Sequence, residues 1–313
     1  EICPEAWLLL VAIPVMAGVT YLKRKYKNSK IVGLCHGYNG INHLIDALEL
    51  DKKYTTYEIP GVNHFVWLTE FYYKGRNAFP LIDQWIENQS DSYWKNCKAS
   101  SPMGPKAIDL YKRFGAFPIG DTGNPGGGAW GYWYHTDDDT EKKWNENPYG
   151  WYYDSYFPYC MKKVSDIKYT SEHEYIKVMD KFPPEHSGEN IIPIIEAIAC
   201  DIPSVQIVNI LNDGKFVPGV PENFEVEIPA LVSKRGIQGI KTNGLPGPLL
   251  AYILRDRVAP VEMEIMAYER GSRELLINLI MMDPWTKSEK QAKKLLDDIL
   301  SLPYHAEMKK HYK

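Results

Sequence analysis

The chain has 313 residues, of which 44% are hydrophobic and 24% charged. This composition is typical of a globular protein with one large core or two ordinary domains, and it excludes a disordered chain. The formal net charge is −4, and Lys and Arg are interspersed with other residue types, as at 287–294, which excludes a basic surface for nucleic acid.

The beginning of the chain predicts a strand, a helix and a second strand. The apolar stretch 6–22 has no basic residue before it, contains Pro14 and falls short of the roughly 20 residues that cross a bilayer, so we expect neither a signal peptide nor a membrane anchor. A buried strand at 7–13, a helix from Pro14 to about residue 28 and a strand at 30–34 explain the same residues. This unit is typical of the end of a parallel sheet. Such a sheet needs further units upstream, so the chain is expected to be truncated at its front.

Apolar periodicity and turn residues predict the later elements. Strands are expected at 54–59, 64–73, 205–211 and 225–232. Helices are expected at 41–50, 80–89, 106–114, 193–200, 246–270, 272–281 and 287–300. Residues 115–163 are rich in Gly, Trp and Tyr with little periodicity, which is typical of a long loop that lines a site. The glycines at 123–128 flank a proline and open no helix, so they do not predict a phosphate-binding loop.

The cysteines indicate a reducing compartment. They are odd in number, scattered and free of CxxC spacing, which argues against a disulfide framework and favours a cytoplasmic protein. We expect four of the five to be structural. The five are Cys3, Cys35, Cys97, Cys160 and Cys200.

Cys35 is the exception because it follows an apolar run and a histidine pair accompanies it. His36 is its neighbour, and His64 comes 29 residues later in Gly-Val-Asn-His, again after a β-like run. Cysteine sulfur and histidine nitrogen are ordinary ligands of first-row metals, and two protein ligands leave positions open for water or substrate. Taken alone, the pattern fits a buried core cysteine and a structural histidine better.

Six ordered motifs resemble glycoside hydrolase family 4 along nearly the whole chain. The end of the chain, from Asp283-Pro284 to Leu302-Pro303, is similar to the α-galacturonidase, α-glucuronidase and α-glucosidase branch. The motifs are Cys-Pro-Glu-Ala-Trp at 3–7, Val-Gly-Leu-Cys-His at 32–36, Gly-Val-Asn-His at 61–64, Ile-Gly-Asp-Thr at 119–122, Trp-Tyr-His-Thr-Asp at 133–137 and His-Ser-Gly-Glu at 186–189.

The resemblance implies an α/β to α+β fold. Residues 1–37 would be the remnant of the dinucleotide-binding domain, the last part of a Rossmann-type parallel sheet. Residues 38–313 would be a metal- and sugar-binding C-terminal α+β domain like that of lactate and malate dehydrogenases. It also implies NAD, Mn²⁺ or another divalent metal, and an unusual cleavage of α-glycosides that departs from the two-carboxylate scheme. The sugar is oxidised at C3, the acidified C2 proton is removed, the glycosidic oxygen is eliminated, and hydration and re-reduction follow. The expected assembly is a homo-oligomer, with a separate chain or a missing segment supplying the NAD domain.

The same resemblance assigns roles by position. Cys35 and His64 match the metal ligands, and His36 matches the position of an acid for the leaving group. Asp121 in Ile-Gly-Asp-Thr matches the position of the base that removes the C2 proton. Asn63 is a candidate for substrate binding. No NAD-binding residue is assigned.

Several of these residues also have plain structural interpretations. His36 could bind substrate or support a ligand, Asp121 could form a turn, and Asn63 could hold one. Tyr134 and His135 are candidates for substrate binding, or they could pack within a loop. Further candidates precede a helix near Ile191: Ser187 and Glu189 predict a helix cap, with substrate contact as the alternative, and His186 accompanies them.

Two departures from the family pattern leave the function open. The glycine-rich dinucleotide loop has no counterpart in this sequence, and Ile13 stands where the family typically has an asparagine that reaches substrate and nicotinamide. The alternative to an active glycosidase is therefore a degenerate or truncated relative that binds a sugar or a partner without catalysis. A metal hydrolase without NAD is weaker, because the chain has no HExxH motif.

Overall fold

The computed structural model describes residues 3, 5–11, 14–99, 101–123, 130–184 and 188–313. Ile13, His186 and Ser187, discussed above, lie outside these residues. The strands, in chain order, are β1 Trp7–Leu10, β2 Lys30–Gly33, β3 Thr55–Glu58, β4 Gly61–Val62, β5 Phe65–Leu68, β6 Glu70–Tyr73, β7 Arg76–Asn77, β8 Phe117–Ile119, β9 Ser204–Leu211, β10 Glu225–Ser233 and β11 Gly236–Gly239.

The α-helices are joined by short 3-10 turns, including Gly37–Gly40 and Gly120–Gly123, and by π-helical turns at Trp151–Tyr156 and Leu254–Val258. In chain order the α-helices are α1 Val15–Lys25, α2 Ile41–Ala47, α3 Phe79–Asn88, α4 Ser90–Trp94, α5 Pro105–Phe114, α6 Asp138–Trp144, α7 Pro148–Gly150, α8 Phe157–Ser171, α9 Val178–Lys181, α10 Ile191–Ala199, α11 Gly247–Ile253, α12 Ala259–Arg270, α13 Arg273–Met281, α14 Glu289–Leu300 and α15 Ala306–His311.

One mixed sheet organises the fold, with strand order β1-β2-β9-β10-β4-β5-β8 and β11 paired to β10. β1 and β2 are parallel, and the other pairings of this sheet are antiparallel. β3, β6 and β7 form a small second sheet. This mixed sheet with helices confirms the expected α/β to α+β fold class. It also joins the two predicted domains, because β2 pairs with β9 at Gly33 and Asn209.

A single row of paired residues crosses the main sheet from β2 to β8. Each residue of the row is paired with the next one on the neighbouring strand. The ends of β2, β4 and β8 that follow the row therefore lie at neighbouring positions. The row runs through Gly33, Asn209, Glu227, Gly61, Val66 and Ile119.

Apolar clusters cover both parts of this sheet. Val32, Val208 and Ala230 pack with Ile194 of α10 at the β2–β9–β10 end. A second buried cluster joins Trp67 of β5 to Trp130, Tyr134 and Val226 of β10, with edge-to-face ring contacts such as Trp67 to Trp130 at 5.5 Å. The strands of the main sheet are therefore held by buried apolar packing.

Most elements match the expectation from the sequence, with two corrections. The predicted strand at 64–73 is broken at Thr69 into β5 and β6, which belong to different sheets. The reason is burial: β5 is covered on both faces, whereas β6 is buried only at Phe71. The segment 115–163 is not one irregular loop, because β8, α6, α7 and the beginning of α8 lie in it.

The apolar beginning of the chain folds as expected within the part that the structure describes. β1, α1 and β2 occupy it, and Val19 and Val32 are completely buried. No helix in the described ranges is long and apolar enough to cross a membrane.

Candidate functional site

The candidate residues lie just beyond the row that crosses the sheet. Cys35 follows β2 by two residues, Asn63 and His64 form the turn between β4 and β5, and Asp121 follows β8 by two residues. Because the strands are in register, residues far apart in the sequence meet at one edge of the sheet.

Two backbone turns next to the candidate residues, Gly37–Gly40 and Gly120–Gly123, pack against each other. Gly120 has φ +56°, and a Cβ at this position would lie 2.2 Å from the carbonyl oxygen of Gly37; a Cβ on Gly40 would lie 2.5 Å from the nitrogen of Gly120. Only glycine permits both the positive φ and this approach. The turn that carries Asp121 is thereby pressed against the turn that follows Cys35.

Thr122 fixes the Asp121 turn to the sheet from the other side. Its completely buried hydroxyl accepts a hydrogen bond from the nitrogen of Val66 at 2.8 Å and donates to the oxygen of Val66 at 2.9 Å. The indole of Trp130 donates to the carbonyl oxygen of Thr122 at 2.7 Å. These bonds explain the Thr of the Ile-Gly-Asp-Thr motif as a clamp on β5.

His64 is oriented by Asp121. Its Nδ1 lies 3.0 Å from Oδ2 of Asp121, and about a third of each side chain is exposed (32% for both). A carboxylate on Nδ1 fixes the ring and leaves Nε2 as the second binding atom, an arrangement typical of metal-binding histidines. His64 also has φ +60°, an uncommon conformation for a residue with a side chain, and such strain concentrates at functional sites.

Cys35 belongs to the same cluster. Burial raises the pKa of its thiol to about 12, and the charges of Glu227 and Asp121 act in the same direction, while hydrogen bonds from Gly37 and the Asn63 side chain oppose them. The nitrogen of Gly37 lies 3.4 Å from Sγ. A thiol surrounded by carboxylates is protonated unless a cation compensates the charge of the thiolate.

Asn63 is held by two buried glutamates at the beginning of β10. Its backbone nitrogen donates to Oε2 of Glu225 at 3.2 Å, and its side-chain nitrogen donates to Oε2 of Glu227 at 3.1 Å. With its amide nitrogen turned toward the carboxylates, Asn209 donates to Oε1 of Glu225 at 2.8 Å. Asn63 is itself buried, so its contacts favour the interpretation as a residue that holds the turn before His64.

The two glutamates are strongly perturbed. Burial, reinforced by the charge of Glu227, raises the pKa of Glu225 well above its usual range, and burial raises the pKa of Glu227 to about 8. Oε1 of Glu227 is buried and has no hydrogen-bond partner among the residues that the structure describes. The sequence analysis missed this pair, although Glu-Val-Glu at 225–227 opens an apolar strand with both acids on one face.

His36 lies at the outer side of the site and pairs with Glu189. Its Nδ1 is 2.6 Å from Oε1 of Glu189, and its side chain is 68% exposed. Beside it, the side-chain nitrogen of Asn39 donates to the oxygen of Gly188 at 2.8 Å. The predicted capping role of Glu189 is wrong, because Asn190 is the N-cap residue of α10 and Glu189 binds His36 instead.

Tyr134 and His135 are buried among protein groups. The hydroxyl of Tyr134 donates to Asp109 at 2.5 Å, and the ring of His135 packs edge-to-face on Trp285 at 5.2 Å. Nδ1 of His135 is 3.8 Å from Glu146, which forms a buried ion pair with Lys106. Only 6% of His135 and none of Tyr134 is exposed. This geometry favours packing within the chain, and their role in substrate binding stays a prediction.

The donor set fits a divalent metal that takes two protein ligands. No group of three or more His, Cys, Asp and Glu residues placed to hold a metal occurs in the described ranges. Cys35 and His64 nevertheless share one cluster with Asp121, and the unpartnered oxygen of Glu227 belongs to a further buried carboxyl group whose ionised form a cation would stabilise. The roles of these residues remain predictions.

Comparisons with known proteins identify the family. Residues 59–286 match the model of the family 4 glycosyl hydrolase C-terminal domain, and residues 1–50 match the model of family 4 glycosyl hydrolases. An alpha-galacturonidase of Thermoanaerobacterium saccharolyticum is 25% identical, over 96% of this chain and 66% of the relative. The chain thus spans slightly less than two thirds of that protein's length.

Two solved structures have the same fold. A putative glucosidase from Bacillus subtilis superposes with a TM-score of 0.75 at 21% identity, covering 95% of this chain and 69% of that one. A 6-phospho-alpha-glucosidase from gut microorganisms, solved with NAD and Mn²⁺, gives a TM-score of 0.71 at 19% identity, covering 95% and 67%. With the two family models covering most of the sequence, we conclude that this chain belongs to glycosyl hydrolase family 4.

Proposed function

We propose that this chain is the metal- and sugar-binding part of a glycosidase that cleaves α-galacturonides or α-glucuronides. Cleavage proceeds through oxidation at C3, removal of the C2 proton, elimination of the glycosidic oxygen, hydration and re-reduction. Membership of family 4 and the similarity to an alpha-galacturonidase support this proposal. The observation that carries it is the cluster of Cys35, His64 and Asp121 at one edge of the sheet.

In this proposal Cys35 and His64 hold the divalent metal. The 6-phospho-alpha-glucosidase structure that was solved with NAD and Mn²⁺ supports manganese as the metal. When bound, the metal supplies a Lewis acid that stabilises negative charge on a carbonyl oxygen next to C2. Asp121 keeps His64 oriented through Nδ1, so that Nε2 is left as the metal-binding atom.

Asp121 is the best candidate for the base that removes the C2 proton. Of the three carboxylates in the cluster around Cys35, Asn63 and His64, Glu225 and Glu227 are buried, whereas Asp121 is about one third exposed and can meet a substrate. His36 is the candidate acid for the leaving group. Its ring is exposed, and its Nδ1 lies 2.6 Å from Oε1 of Glu189, which orients the imidazole and leaves Nε2 as the atom that can meet the glycosidic oxygen.

We assign no residue of this chain to NAD. When bound, NAD supplies the acceptor for the C3 hydride. β1 ends the main sheet, with β2 as its neighbour in the described part of the chain, and the parallel β1–β2 pair is compatible with a further parallel strand from a dinucleotide-binding unit. That unit would come from a missing segment or a separate chain. The five unpaired cysteines support a cytoplasmic setting.

Manganese binding to the 313-residue chain tests the metal half of the proposal. We expect the electron paramagnetic resonance signal of aqueous Mn²⁺ to fall on addition of the wild-type chain. Cys35→Ser or His64→Ala should abolish that binding. Cys97→Ser is the matched control, because Cys97 is also half-buried with a raised pKa but lies outside the cluster. Unchanged affinity in Cys35→Ser would remove this thiol from the ligand set.

The reaction is tested with an aryl α-galacturonide or α-glucuronide, Mn²⁺, NAD and a reductant in deuterated water. The protein paired with its dinucleotide-binding unit should release a sugar that carries deuterium at C2. Hydrolysis without deuterium would disprove the elimination. Binding of Mn²⁺ and sugar without hydrolysis would support the degenerate relative instead.

A further inference from the structure

A polar cleft with a volume of about 1400 Å³ lies between three parts of the chain. Its walls are α2, the stretch 85–102 that contains α4, and the segment 147–155. The volume is above the roughly 300–1,000 Å³ of ordinary small-molecule sites, so the cleft has room for an extended ligand. Cys35, His64 and Asp121 do not line it, and the function proposed above leaves it unused.

The lining of the cleft is rich in uncharged hydrogen-bonding groups. Four side-chain amides, four hydroxyls and three carboxylates contribute to it. Amides and hydroxyls can each donate and accept, and carboxylates accept, which matches the mixed donor and acceptor capacity of sugar hydroxyls. The side chains of Glu49, Gln89 and Asp154 have no hydrogen-bond or ion-pair partner within the described part of the chain, so they can bind a ligand.

Tyr93 adds an aromatic ring to the same wall. The ring packs edge-to-face on Trp85 at 5.4 Å, and the hydroxyl lies 2.9 Å from the hydroxyl of Ser101. About a third of the residue (36%) is nevertheless exposed. A ring that is held on one side and open on the other presents an apolar surface with a polar tip. Such a surface suits the apolar C–H face of a pyranose.

Hydrogen bonds fix two of the walls in the chain without a ligand. The indole of Trp94 donates to the carbonyl oxygen of Met103 at 2.9 Å and so closes the loop that follows α4. In the segment 147–155, Oδ1 of Asn147 accepts a hydrogen bond from the nitrogen of Gly150 at 2.7 Å. A cleft that is already formed lowers the conformational cost of binding.

The charge of the cleft selects among carbohydrates. Among the described lining residues, Lys98 is the one lysine or arginine, and it stands against three carboxylates. The carboxylate of Asp46 has a partner outside the cleft, Lys52 at 3.5 Å, whereas Glu49 and Asp154 have none in the described chain. This balance repels a chain of uronic acids or a phosphate-bearing ligand. A neutral sugar chain meets no such repulsion.

The cleft begins beside the candidate site. α2 starts directly after the turn Gly37–Gly40, which packs against the turn of Asp121, and the lining begins at His43 in the first turn of α2. Across the cleft, burial raises the pKa of Tyr152, and the charge of Asp121 acts in the same direction, so the segment 147–155 also reaches the site. The lining continues past the end of α2, and the cleft therefore leads away from Asp121.

We propose that this cleft binds a neutral oligosaccharide, the leaving part of a substrate whose terminal uronic acid is held at the candidate site. The proposal rests on the proposed function for the identity of that terminal sugar. It extends that function by naming the leaving group, which is a chain of neutral sugars and not a polyuronide.

Isothermal titration calorimetry of the 313-residue chain tests the cleft without turnover. The probes are maltotriose, cellotriose and xylotriose, because the linkage of the chain is not specified by the lining. At least one of them should bind with a Kd on the order of 1 mM or below. Failure of all three to bind would overturn the proposal. Binding of spermidine with no binding of a neutral trisaccharide would also overturn it, because the carboxylates would then serve a cation.

Two substitutions in the lining locate the binding. Gln89→Ala and Tyr93→Ala should each raise the Kd of the bound trisaccharide about 3- to 10-fold, and the double variant should raise it at least about tenfold. Gln84→Ala/Tyr72→Ala is the matched control, because both residues lie outside the lining and should leave the Kd unchanged. All four residues are exposed, so the variants should fold. Equal affinity in the lining variant and the control would refute the assignment.

Trigalacturonate tests the selection by charge. Its terminal sugar can bind at the candidate site, but the rest of the chain should not enter the cleft. Any binding of trigalacturonate should therefore stay unchanged in Gln89→Ala/Tyr93→Ala. A loss as large as that of the neutral trisaccharide would show that the cleft accepts polyuronides.

The role as leaving-group site is tested in the protein paired with its dinucleotide-binding unit. Gln89→Ala/Tyr93→Ala should raise the KM of an α-glucuronosyl trisaccharide at least about tenfold and that of an aryl α-glucuronide much less. Equal effects on the two substrates would refute this role. The calorimetry contains no Mn²⁺ or NAD, so its outcome is separate from that of the proposed function. Hydrolysis of the aryl glycoside by a chain that binds no neutral trisaccharide would overturn the cleft alone.

Discussion

Replacing Gly120 by Ala tests whether the contact between the two turns builds the site. The new methyl group would lie 2.2 Å from the oxygen of Gly37, far inside van der Waals contact, at a residue with φ +56°. Gly115→Ala is the matched control, because Gly115 has φ +69° and a Cβ there meets nothing within 4 Å. Both variants introduce left-handed strain, at a cost of roughly 1–2 kcal/mol. Only Gly120→Ala adds the overpacking, typically about 1–3 kcal/mol.

The expected result is therefore a difference of about 1–3 kcal/mol between the two variants in the free energy of unfolding, measured by urea denaturation. Gly120→Ala should also weaken Mn²⁺ binding about 10- to 100-fold, because the turn that carries Asp121 moves away from Cys35 and His64. Gly115→Ala should bind Mn²⁺ like the wild type. Equal losses of stability in the two variants, with manganese affinity untouched, would refute the idea that this contact positions the site.

Three further substitutions test other parts of the cluster and its surroundings. Lys106→Met leaves the buried carboxylate of Glu146 without its partner at 2.9 Å and should lower the free energy of unfolding, measured by urea denaturation, by about 3–5 kcal/mol. A decrease below about 1 kcal/mol would contradict a stabilising role of this buried ion pair. Burial raises the pKa of Glu227 from 4.5 to about 8, so the wild type should lose at most about 5 kcal/mol of stability as pH rises from below 4.5 through about 8. Glu227→Gln should flatten that profile between about pH 5 and pH 9, and an unchanged profile would assign it to other groups. Asp121→Asn should weaken Mn²⁺ binding about 10- to 100-fold through His64, and full affinity would show that the pair at 3.0 Å does not support the ligand.

The sequence predicts the fold well where one local signal dominates. The β1–α1–β2 unit follows from an apolar run, a proline at the helix start and a second apolar run, and β9 and β10 follow from segments rich in Val, Ile and Leu. The break at Thr69 could not be predicted, because 64–73 is continuously β-forming. Only the contact with β3 shows that its second half belongs to another sheet.

The residues of the candidate site could be predicted where they lie in a sequence motif. They could not be predicted where only a long-range contact places them at the site. Cys35, His36, His64 and Asp121 all lie in the motifs, and the structure gathers them at one edge of the sheet. Glu225 is different, because a carboxylate on a strand looks exposed until the strand is known to be central.

The partner of Glu189 likewise could not be predicted from local sequence. Its spacing from α10 suggested a cap, and only the tertiary fold brings it to His36, which lies 153 positions earlier. Side-chain partners at such separations are set by strand order and not by local pattern.

The row across the main sheet also dictates when the site can exist during folding. Cys35, His64 and Asp121 are all present in the first 121 residues, but Asn63 is anchored to Glu225, 162 positions later, on the strand that lies between β9 and β4. Contacts of such high sequence separation are slow to form. A chain still emerging from the ribosome therefore carries the two proposed metal ligands without the strand that holds the turn of His64. If Cys35 and His64 bind manganese as proposed, manganese uptake reports completed folding as well as ligand chemistry.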